Sequence, residues 1–519
     1  MNSGRLAKNT VALFLRQFVI LGINLYAVRV LLTALGVNDF ALFNVIVNLV
    51  AIGSFLSTSL QMITQRYFAF AIGKNRGGAE DGANLKRIHD ASLLLCIVAS
   101  ICVLVVLETV GTWFVGHQLV VRPDRLGAAQ LLFQLSVIAF LASNFTGFYS
   151  SVILANEEMH VYALFSVIEA ALRLGAALMI GVLPSDSLIG YGILLGLVAL
   201  GMVAAYWVFC SRRYPECRGV SFRPDRSMLR EMSGFAGWTI FGQATTISRN
   251  QVVTVLINQA FNPATVVARA LAVQVASQAL VFSTNFSAAL NPPIIKSHAA
   301  GDHQQMFSLV FLGSRIAFFL IWIITLPMLA VMPWVLNSWL GHYPPETVLF
   351  TRLALIENAI SAISLTLMTA VRAAGKVRLY ELSLGILQAM VLVLSWLLIR
   401  AGYPAYSVYL VAIVINLLMF AVRLAIASRM TGLPAGAFLR QVGLPVILVV
   451  GMSSLLVIAL LEVVQGIAPI EHNPAALLVT ALVGLVPVSV IYMLGLSSAE
   501  RRALHSMILK RTIRSGFVR

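Results

Sequence analysis

The stretch that decides the fold is residues 91–115, which read ASLLLCIVASICVLVVLETVGTWFV. It is almost entirely apolar and carries one charged residue, Glu108. A helix rises about 1.5 Å per residue, so about 20 apolar residues are needed to cross the roughly 30 Å hydrocarbon core of a bilayer. The stretch therefore predicts a helix that spans a membrane.

Stretches of this kind recur along the whole chain of 519 residues, of which 59% are hydrophobic and only 11% are charged. Soluble domains carry about a quarter charged residues, so this composition excludes a water-soluble fold. We predict an all-α integral membrane protein with about fourteen transmembrane helices. These predicted helices, numbered 1 to 14, have the approximate limits 11–34, 40–72, 91–115, 131–154, 161–183, 188–210, 235–257, 264–290, 307–331, 348–371, 379–399, 406–427, 442–464 and 475–496.

Lysine and arginine are distributed unevenly between the connections of the predicted helices. About 24 of the 36 lie at the termini and in the even-numbered connections, about 3 in the odd-numbered connections and about 9 within helices. Because positive residues stay on the cytoplasmic side of short loops, both termini are predicted to be cytoplasmic. The net charge of +16 then follows from topology and from contact with anionic membrane lipids, with no nucleic-acid partner.

Two short segments of the first half resemble segments of the second half. Residues 30–40, VLLTALGVNDF, align roughly with residues 255–263, VLINQAFNP, and residues 155–162, ANEEMHVY, correspond loosely to residues 374–380, AGKVRLY. Both matches imply a shift of about 220 residues, or six helices, and such repeats are typical of transporters. We therefore predict two pseudo-symmetric six-helix bundles around a central cavity, residues 1–215 and 216–430. Residues 431–519 would add helices 13 and 14 and a basic cytoplasmic tail.

Polar side chains recur on one face of predicted helix 2, at steps of three and four or their sums. Lipid cannot face such a stripe, because polar groups in hydrocarbon need partners. Predicted helices 7 and 8 repeat the pattern, which favours a water-accessible cavity over the alternative of hydrogen bonds between helices. The candidate cavity residues of predicted helix 2 are Asn44, Asn48, Gln61 and Gln65.

Predicted helices 1, 2, 7 and 8 each contain an arginine that would give this cavity a positive charge. These residues are Arg29, Arg66, Arg249 and Arg269. A charge at mid-membrane costs about 3 kcal/mol on insertion scales. A cavity lined by guanidinium groups attracts an anion, and guanidinium binds phosphate with paired hydrogen bonds. Arg66 lies near a cytoplasmic end, where snorkelling explains it equally well. The other three lie toward the external half, where the positive-inside rule disfavours them, and this favours a functional role.

Acidic residues inside the predicted helices are fewer. Glu169 and Arg173 stand four apart on predicted helix 5 and are predicted to form an ion pair. Glu357 is five residues from Arg352, which is a poorer spacing for a pair. Glu169 and Glu357 are candidates for binding a coupling Na⁺ or H⁺, against the alternative that they are paired or exposed.

Catalytic and metal-binding motifs are absent from the sequence. There is no HExxH, no GxSxG and no glycine-rich phosphate loop, and the four cysteines lack metal-ligand spacing. We therefore predict that the protein is not an enzyme. We expect no catalytic residue, no bound metal and no cofactor other than a coupling ion.

Three segments within the first five predicted helices carry a resemblance to a known family. They are residues 35–44, LGVNDFALFN, residues 55–67, FLSTSLQMITQRY, and residues 156–162, NEEMHVY, with IEA at 168–170. In these segments the chain resembles the Wzx-type polysaccharide-unit flippases of the multidrug/oligosaccharidyl-lipid/polysaccharide exporter superfamily. Two six-helix halves and a terminal helix pair extend the resemblance, less specifically, over the rest of the chain.

The resemblance implies a flippase that moves an undecaprenyl-diphosphate-linked oligosaccharide, the repeat unit of an O-antigen or exopolysaccharide, from the cytoplasmic to the periplasmic leaflet by alternating access. It implies a bacterial inner membrane and, as further partners, membrane lipids and the glycan polymerase and glycosyltransferases of the pathway. Family members hold the anionic headgroup with cationic residues of helices 1, 2, 7 and 8. The counterparts here are Arg29, Arg66, Arg249 and Arg269.

Two other functions remain open. A multidrug or cation antiporter of the same fold needs carboxylates in the cavity helices, whereas predicted helices 1, 2, 7 and 8 have none in their interiors and only Asp39 at a border. A membrane enzyme such as a glycan polymerase or ligase needs acid and base residues in a substantial external loop, and the predicted external loops are short.

Overall fold

The structure is a computed structural model that describes residues 3–51, 53–74, 80–117, 125–180, 186–219, 225–340, 342–375, 377–465, 475–497 and 500–502. These residues form helices and connecting turns, without a β-strand among them. The α-helices are α1 (Ser3–Ala51), α2 (Ser54–Lys74), α3 (Glu80–Val106), α4 (Thr112–His117), α5 (Leu126–Ala155), α6 (Met159–Met179), α7 (Ser187–Arg213), α8 (Arg226–Ala260), α9 (Pro263–Ala299), α10 (His303–Leu340), α11 (Glu346–Ile363), α12 (Leu365–Ala374), α13 (Val377–Arg400), α14 (Ser407–Thr431), α15 (Ala435–Phe438), α16 (Leu444–Gln465) and α17 (Ala475–Val490).

Most of these helices have the length and hydropathy of membrane spans. Within the described residues 11 pass both criteria, or 12 if the bent pair Leu42–Ala51 and Ser54–Lys74 is one span. Predicted helix 7 is α8, which is too polar to pass, and predicted helix 14 is α17, which is too short. Every predicted helix therefore coincides with helical structure, and the prediction of an all-α, multi-span membrane protein is confirmed.

Glycine and proline place the breaks in the long helices. Gly36 has a φ of 72° and divides α1, which thus contains predicted helix 1 and the start of predicted helix 2. Glycine adopts a positive φ freely, whereas other residues lose roughly 1–2 kcal/mol there. In α10, Val331 leaves helical geometry between Pro327 and Pro333, because each proline ring removes an N–H donor and clashes with the preceding turn.

The helices cluster into two compact units. Unit 1 contains Met1–Ala244, Ala288–Met306 and Arg372–Leu382, and unit 2 contains Thr245–Ser287, Phe307–Val371 and Ser383–Arg519. Helices α8, α9, α10, α12 and α13 contribute residues to both units. The predicted boundaries at residues 215 and 430 follow the sequence repeat and stay a prediction.

Each unit has its own packing. Unit 1 is centred on buried aromatic side chains, among them Tyr67 and Phe68 of α2 and Tyr206 of α7. In unit 2 the indole Nε1 of Trp322 donates to Ser453 Oγ at 3.0 Å, which joins α10 to α16. Hydrogen bonds of this kind hold membrane helices together, because lipid removes the hydrophobic reason for association.

Candidate functional site

Each unit holds a cavity, and the two cavities are lined by residues at equivalent positions of the internal repeat. The unit 1 cavity has a volume of about 390 Å³ and the unit 2 cavity about 230 Å³. The predicted shift of about 220 residues thus has a counterpart in the structure. The lining pairs, each separated by 218 positions, are Leu31 and Arg249, Ala51 and Arg269, Ser136 and Ala354, Ala139 and Glu357, Phe140 and Asn358, Arg173 and Val391, and Tyr191 and Tyr409.

The two cavities differ in polarity. Four apolar positions of the unit 1 cavity, Leu31, Ala51, Ala139 and Phe140, are replaced in the unit 2 cavity by Arg249, Arg269, Glu357 and Asn358. Because buried charges are expensive in a membrane, their concentration at one of two equivalent places marks the unit 2 cavity as the candidate functional site.

An ion pair joins two helices across the unit 2 cavity. Arg249 Nη1 of α8 lies 3.1 Å from Glu357 Oε1 of α11, and their side chains are only 15% and 13% exposed. Asn416 Nδ2 of α14 donates to the same oxygen at 3.0 Å, and Ser361 Oγ donates to Asn416 Oδ1 at 3.3 Å. Glu357 therefore pairs with Arg249, and its sequence neighbour Arg352 is not its partner in the structure.

Arg269 is the most buried cation of the cavity, at 6% exposure. Its Nε donates to Thr254 Oγ1 at 3.2 Å and its Nη2 to Asn250 O at 3.5 Å, and its Cζ lies 5.6 Å from the centre of the Tyr409 ring. All these partners are neutral. Within the described residues Arg269 has no carboxylate at salt-bridge distance, so its charge lacks a direct counter-ion.

The local sequence explains why Arg269 is presented here. Asn262 Oδ1 accepts a hydrogen bond from Thr265 N at 2.9 Å, and Pro263 begins α9. Asparagine at the N-cap followed by proline is a strong helix start, because the side chain satisfies a free N–H and the proline ring fixes a helical φ. The start of α9 is therefore fixed about two turns before Arg269.

The chemistry of the unit 2 cavity is that of an anion site. Two guanidinium groups and one carboxylate line it, which leaves one net positive charge. Guanidinium offers paired N–H donors that match phosphate or carboxylate oxygens and stays protonated when buried. The cavity is large enough for a phosphate-sized group but not for a whole oligosaccharide.

The other predicted ligands lie in unit 1. Arg29 is exposed in α1, and Asn44 Nδ2 donates to Phe40 O of its own helix at 2.7 Å. The side chain of Asn48 lies outside the described residues. Gln61 packs on Gly147 of α5, where a Cβ would lie 2.2 Å from Gln61 Nε2, so the amide fits only against glycine.

Gln65, the last of these predicted ligands, is half-buried in α2. Its neighbour Arg66 is buried and caps the end of α12. The Nε of Arg66 donates to Arg372 O at 2.5 Å and its Nη2 to Ala373 O at 3.3 Å. Terminal carbonyls carry the negative end of the helix dipole, which favours a cation there. The guanidinium of Arg66 thus binds backbone carbonyls at the end of α12, and its role as a ligand of an anionic headgroup stays a prediction.

Gly375 lies directly after α12, beside the arginine that caps it. Its φ is +83°, and a Cβ at this position would lie 2.6 Å from Arg66 Nη2. Gly402, after α13, shares the φ of +83° but has open space around the Cβ position. We expect Gly375→Ala to lower the apparent Tm of the purified protein more than Gly402→Ala. Both lose about 1–2 kcal/mol to backbone strain, and only Gly375→Ala also displaces Arg66. Equal losses would mean that Gly375 serves backbone conformation alone.

The predicted ion pair of α6 is present. Arg173 Nη2 lies 2.6 Å from Glu169 Oε1, on the face that lines the unit 1 cavity through Arg173. A pair of this spacing is favourable in a helix, although its side chains are partly exposed and its contribution to stability is small. Glu169 and Glu357 are therefore both paired with arginine, and their role in ion coupling stays a prediction.

Several residues of the unit 2 cavity escaped the sequence reasoning. Tyr409 and Asn358 line the cavity and Asn416 donates to Glu357, but none of the three carries a charge, which is the property that singled out the predicted site residues. A signal was present, since Tyr191 and Tyr409 are related by the repeat shift and both are polar aromatic residues in apolar helices. Comparing the halves position by position would have found Tyr409, but not Asn358 or Asn416, whose counterparts Phe140 and Val198 are apolar.

The cysteines do not form a site. Cys96, Cys210 and Cys217 are buried, and burial raises the pKa of the Cys217 thiol, which lies between α7 and α8, to about 12. A thiol of that pKa is a poor nucleophile and metal ligand at neutral pH. In the part of the chain that the structure describes, no cluster of His, Cys, Asp and Glu could hold a metal ion.

Comparison with known proteins identifies the fold. No family model matches the chain, and no curated protein matches its sequence. A crystal structure of a MATE mutant matches with a TM-score of 0.70 at 14% identity, over 82% of this chain and 96% of that chain. An outward-facing multidrug resistance MATE family transporter of the MOP superfamily gives 0.70 at 13% identity, over 83% and 96%.

A third match is a MOP superfamily transporter from Pyrococcus furiosus Vc1, described by the reverse polarity of its binding pocket. Its TM-score is 0.68 at 12% identity, over 82% of this chain and 96% of that chain. At such identities the similarity shows the fold alone. The chain therefore has the fold of the MATE and MOP superfamily transporters.

Proposed function

We propose that the protein is a flippase that carries an undecaprenyl-diphosphate-linked oligosaccharide from the cytoplasmic to the periplasmic leaflet of a bacterial inner membrane. One observation carries the proposal: Arg269 is buried in a membrane helix and faces a cavity without a carboxylate partner among the described residues. A buried cation without a counter-ion is costly, and the diphosphate of the cargo would supply that counter-ion. The transporter fold and the sequence resemblance support the same conclusion.

In this proposal Glu357 is the ion-pair partner of Arg249 while the cargo is absent. The carboxylate accepts from Arg249 Nη1 and from Asn416 through one oxygen, Oε1, and Arg249 Nη2 donates to the neutral Asn250 Oδ1 at 3.2 Å, so only one nitrogen of the guanidinium is held by a charged partner. A diphosphate competes well for those donors because it carries more charge and more acceptor oxygens than a carboxylate. Binding of H⁺ or Na⁺ at Glu357 would release Arg249 for the cargo, which makes Glu357 the leading coupling residue. Glu169, paired with Arg173, is the second.

Arg29, Arg66, Asn44, Asn48, Gln61 and Gln65 belong to the proposal as further ligands in unit 1. They are polar groups along α1 and α2, where a glycan would need hydrogen-bond partners while it crosses the bilayer. The pathway's glycosyltransferases would supply the cargo, and its polymerase would consume it on the other side. The protein itself would act as a carrier, without catalysis.

A multidrug or cation antiporter is the second candidate function. Glu357 favours it, because this carboxylate faces the unit 2 cavity although it lies outside predicted helices 1, 2, 7 and 8. Arg249 and Arg269 oppose it, because together they outweigh the single carboxylate and repel a cation. The net positive charge of the unit 2 cavity therefore favours an anionic cargo.

Reconstitution in proteoliposomes tests the proposal against its alternatives. A fluorescent undecaprenyl-diphosphate oligosaccharide is placed in one leaflet, and its arrival in the other is read with a membrane-impermeant quencher. We expect the protein to accelerate this movement above that of protein-free vesicles. Uptake of a cationic dye without lipid movement would support the antiporter, and lengthening of the glycan would support a polymerase.

The proposed topology places the even-numbered connections in the cytoplasm. Arg429, after predicted helix 12, and Glu346, before predicted helix 10, are exposed residues on connections of opposite predicted sides. In a Cys102→Ser background, we expect Arg429→Cys to resist an impermeant thiol reagent in intact spheroplasts and Glu346→Cys to react with it. Lysis should make both react. Labelling of both before lysis, or of Arg429→Cys alone, would overturn the topology.

A further inference from the structure

A third cavity, of about 610 Å³, lies in unit 1 where α8 and α13 begin. From α8 it is lined by Arg230 and Trp238, and from α13 by Arg378, Leu379 and Leu382. Its residues take no part in the unit 2 cavity described above. The cavity combines charged, aromatic and apolar side chains, which is the composition of a membrane interface.

The rim of this third cavity is positively charged. Arg230 and Arg378 are exposed, and within the described residues neither lies at salt-bridge distance from a carboxylate. Arg378 Cζ stands 5.4 Å from the centre of a Trp238 ring, so the tryptophan orients the guanidinium by a cation–π interaction. An arginine held in this way keeps its N–H donors available at the edge of the ring plane.

The one carboxylate of the third cavity is engaged and outweighed. Glu231 Oε1 accepts a hydrogen bond from the Tyr67 hydroxyl at 3.1 Å. Behind Tyr67 and Phe235, which also line the cavity, lies the Arg66 guanidinium, 4.6 Å from both ring centres. The cavity therefore has two cations at its rim and a third behind its aromatic floor, against one carboxylate.

An apolar wall stands next to these charges. Leu379 is 60% exposed and Leu382 is half-buried, both in the first two turns of α13. The helix that carries them has the length and hydropathy of a membrane span over Val377–Arg400, so its first turns belong at the boundary between headgroups and acyl chains. A ligand that fits the whole surface needs an anionic head and an apolar tail.

We propose that the third cavity binds an anionic phospholipid, with the headgroup phosphate between Arg230 and Arg378 and an acyl chain along Leu379 and Leu382. Guanidinium prefers phosphate because paired N–H donors match its oxygens. Basic pockets between membrane helices are a recognised way to hold such headgroups. Neither Arg230 nor Arg378 is among the proposed cargo ligands, so replacing them tests the lipid site apart from the cargo site.

Lipid titration of purified protein tests the site. The full chain is held in neutral detergent, phosphatidylglycerol or phosphatidylcholine is added, and bound lipid is counted by native mass spectrometry. We expect phosphatidylglycerol to bind to the wild-type protein. Each arginine near a membrane surface contributes about fivefold to the affinity for an anionic lipid, so the double variant Arg230→Ala with Arg378→Ala should bind phosphatidylglycerol about 30-fold more weakly. The matched control, Arg429→Ala with Arg440→Ala, removes two exposed arginines elsewhere and should retain wild-type affinity.

The outcomes are distinct. An equal loss of phosphatidylglycerol affinity in the control variant would mean that binding depends only on the overall charge of the protein. Unchanged affinity in the Arg230 and Arg378 variant would mean that the lipid binds elsewhere. Either result overturns the site. Competition by inorganic phosphate at the lipid's concentration would overturn the assignment of a lipid, since the apolar wall would then contribute nothing. Binding by phosphatidylglycerol alone, lost only in the Arg230 and Arg378 variant, supports it.

Discussion

Replacing Arg269 with alanine is expected to abolish transport of the lipid-linked glycan while leaving the protein inserted and folded. The guanidinium contacts Thr254, Asn250 and the Tyr409 ring, all neutral partners that survive its removal without an uncompensated charge. The diphosphate, in contrast, would lose a buried cationic ligand. Truncating one member of such a buried charge pair costs about 2–5 kcal/mol, which is a loss of affinity of at least about 30-fold.

Surface glycan in a flippase-deficient strain is the readout, with membrane-inserted protein measured in parallel. Arg400→Ala is the matched control, because Arg400 of unit 2 also stacks on an aromatic ring, Trp396 at 4.9 Å, but does not line the unit 2 cavity. We expect full glycan from Arg400→Ala and a partial level from Arg269→Lys, which keeps the charge but loses the paired donors. Wild-type glycan from Arg269→Ala would refute the anion site.

The fold could be predicted from the sequence because a bilayer leaves few alternatives. Each apolar stretch of about 20 residues must be a helix, since only helices and closed barrels satisfy their backbone groups in lipid. The same reading of apolar stretches predicts helix 7, which coincides with α8 although α8 is too polar to meet the criteria for a membrane span. Its position in the repeat, six predicted helices after predicted helix 1, now agrees with the pairing of Leu31 and Arg249 in the two cavities.

The partners of the charged residues could not be predicted in the same way. Glu357 was compared with Arg352, its neighbour in sequence, whereas its partner Arg249 lies 108 positions away on another helix. Arg66 gave a similar result: its burial at the end of α12 depends on a tertiary contact 306 positions distant. Spacing along one helix predicts contacts within that helix, as it did for Glu169 and Arg173, but carries no information about which helices become neighbours.

Breaking the Arg249 and Glu357 pair from one side is expected to destabilise unit 2, and removing both charges is expected to restore it. Arg249→Met leaves a carboxylate that is 13% exposed without its counter-ion, for which the penalty is about 3–5 kcal/mol. In Arg249→Met with Glu357→Gln the charge is gone, and Asn416 Nδ2 can still donate to the glutamine oxygen that replaces Glu357 Oε1. The apparent Tm of the purified variants should therefore fall in the single variant and recover in the double variant.

Transport separates the functional role of this pair from its structural role. If Arg249 is a cargo ligand, the double variant stays folded but loses glycan transport, whereas Glu357→Gln alone leaves Arg249 free for an anion. Inorganic pyrophosphate, which carries the diphosphate charge of the cargo, should then raise the Tm of Glu357→Gln more than that of the wild type, because the wild-type carboxylate competes for the same guanidinium. Normal transport by the double variant would show that Arg249 is not a cargo ligand. Equal Tm values for the single and double variants would show that the ion pair does not stabilise unit 2. Recovery of Tm without recovery of transport in the double variant, together with a larger pyrophosphate effect on Glu357→Gln than on the wild type, is the result that assigns Arg249 to the cargo and Glu357 to its release.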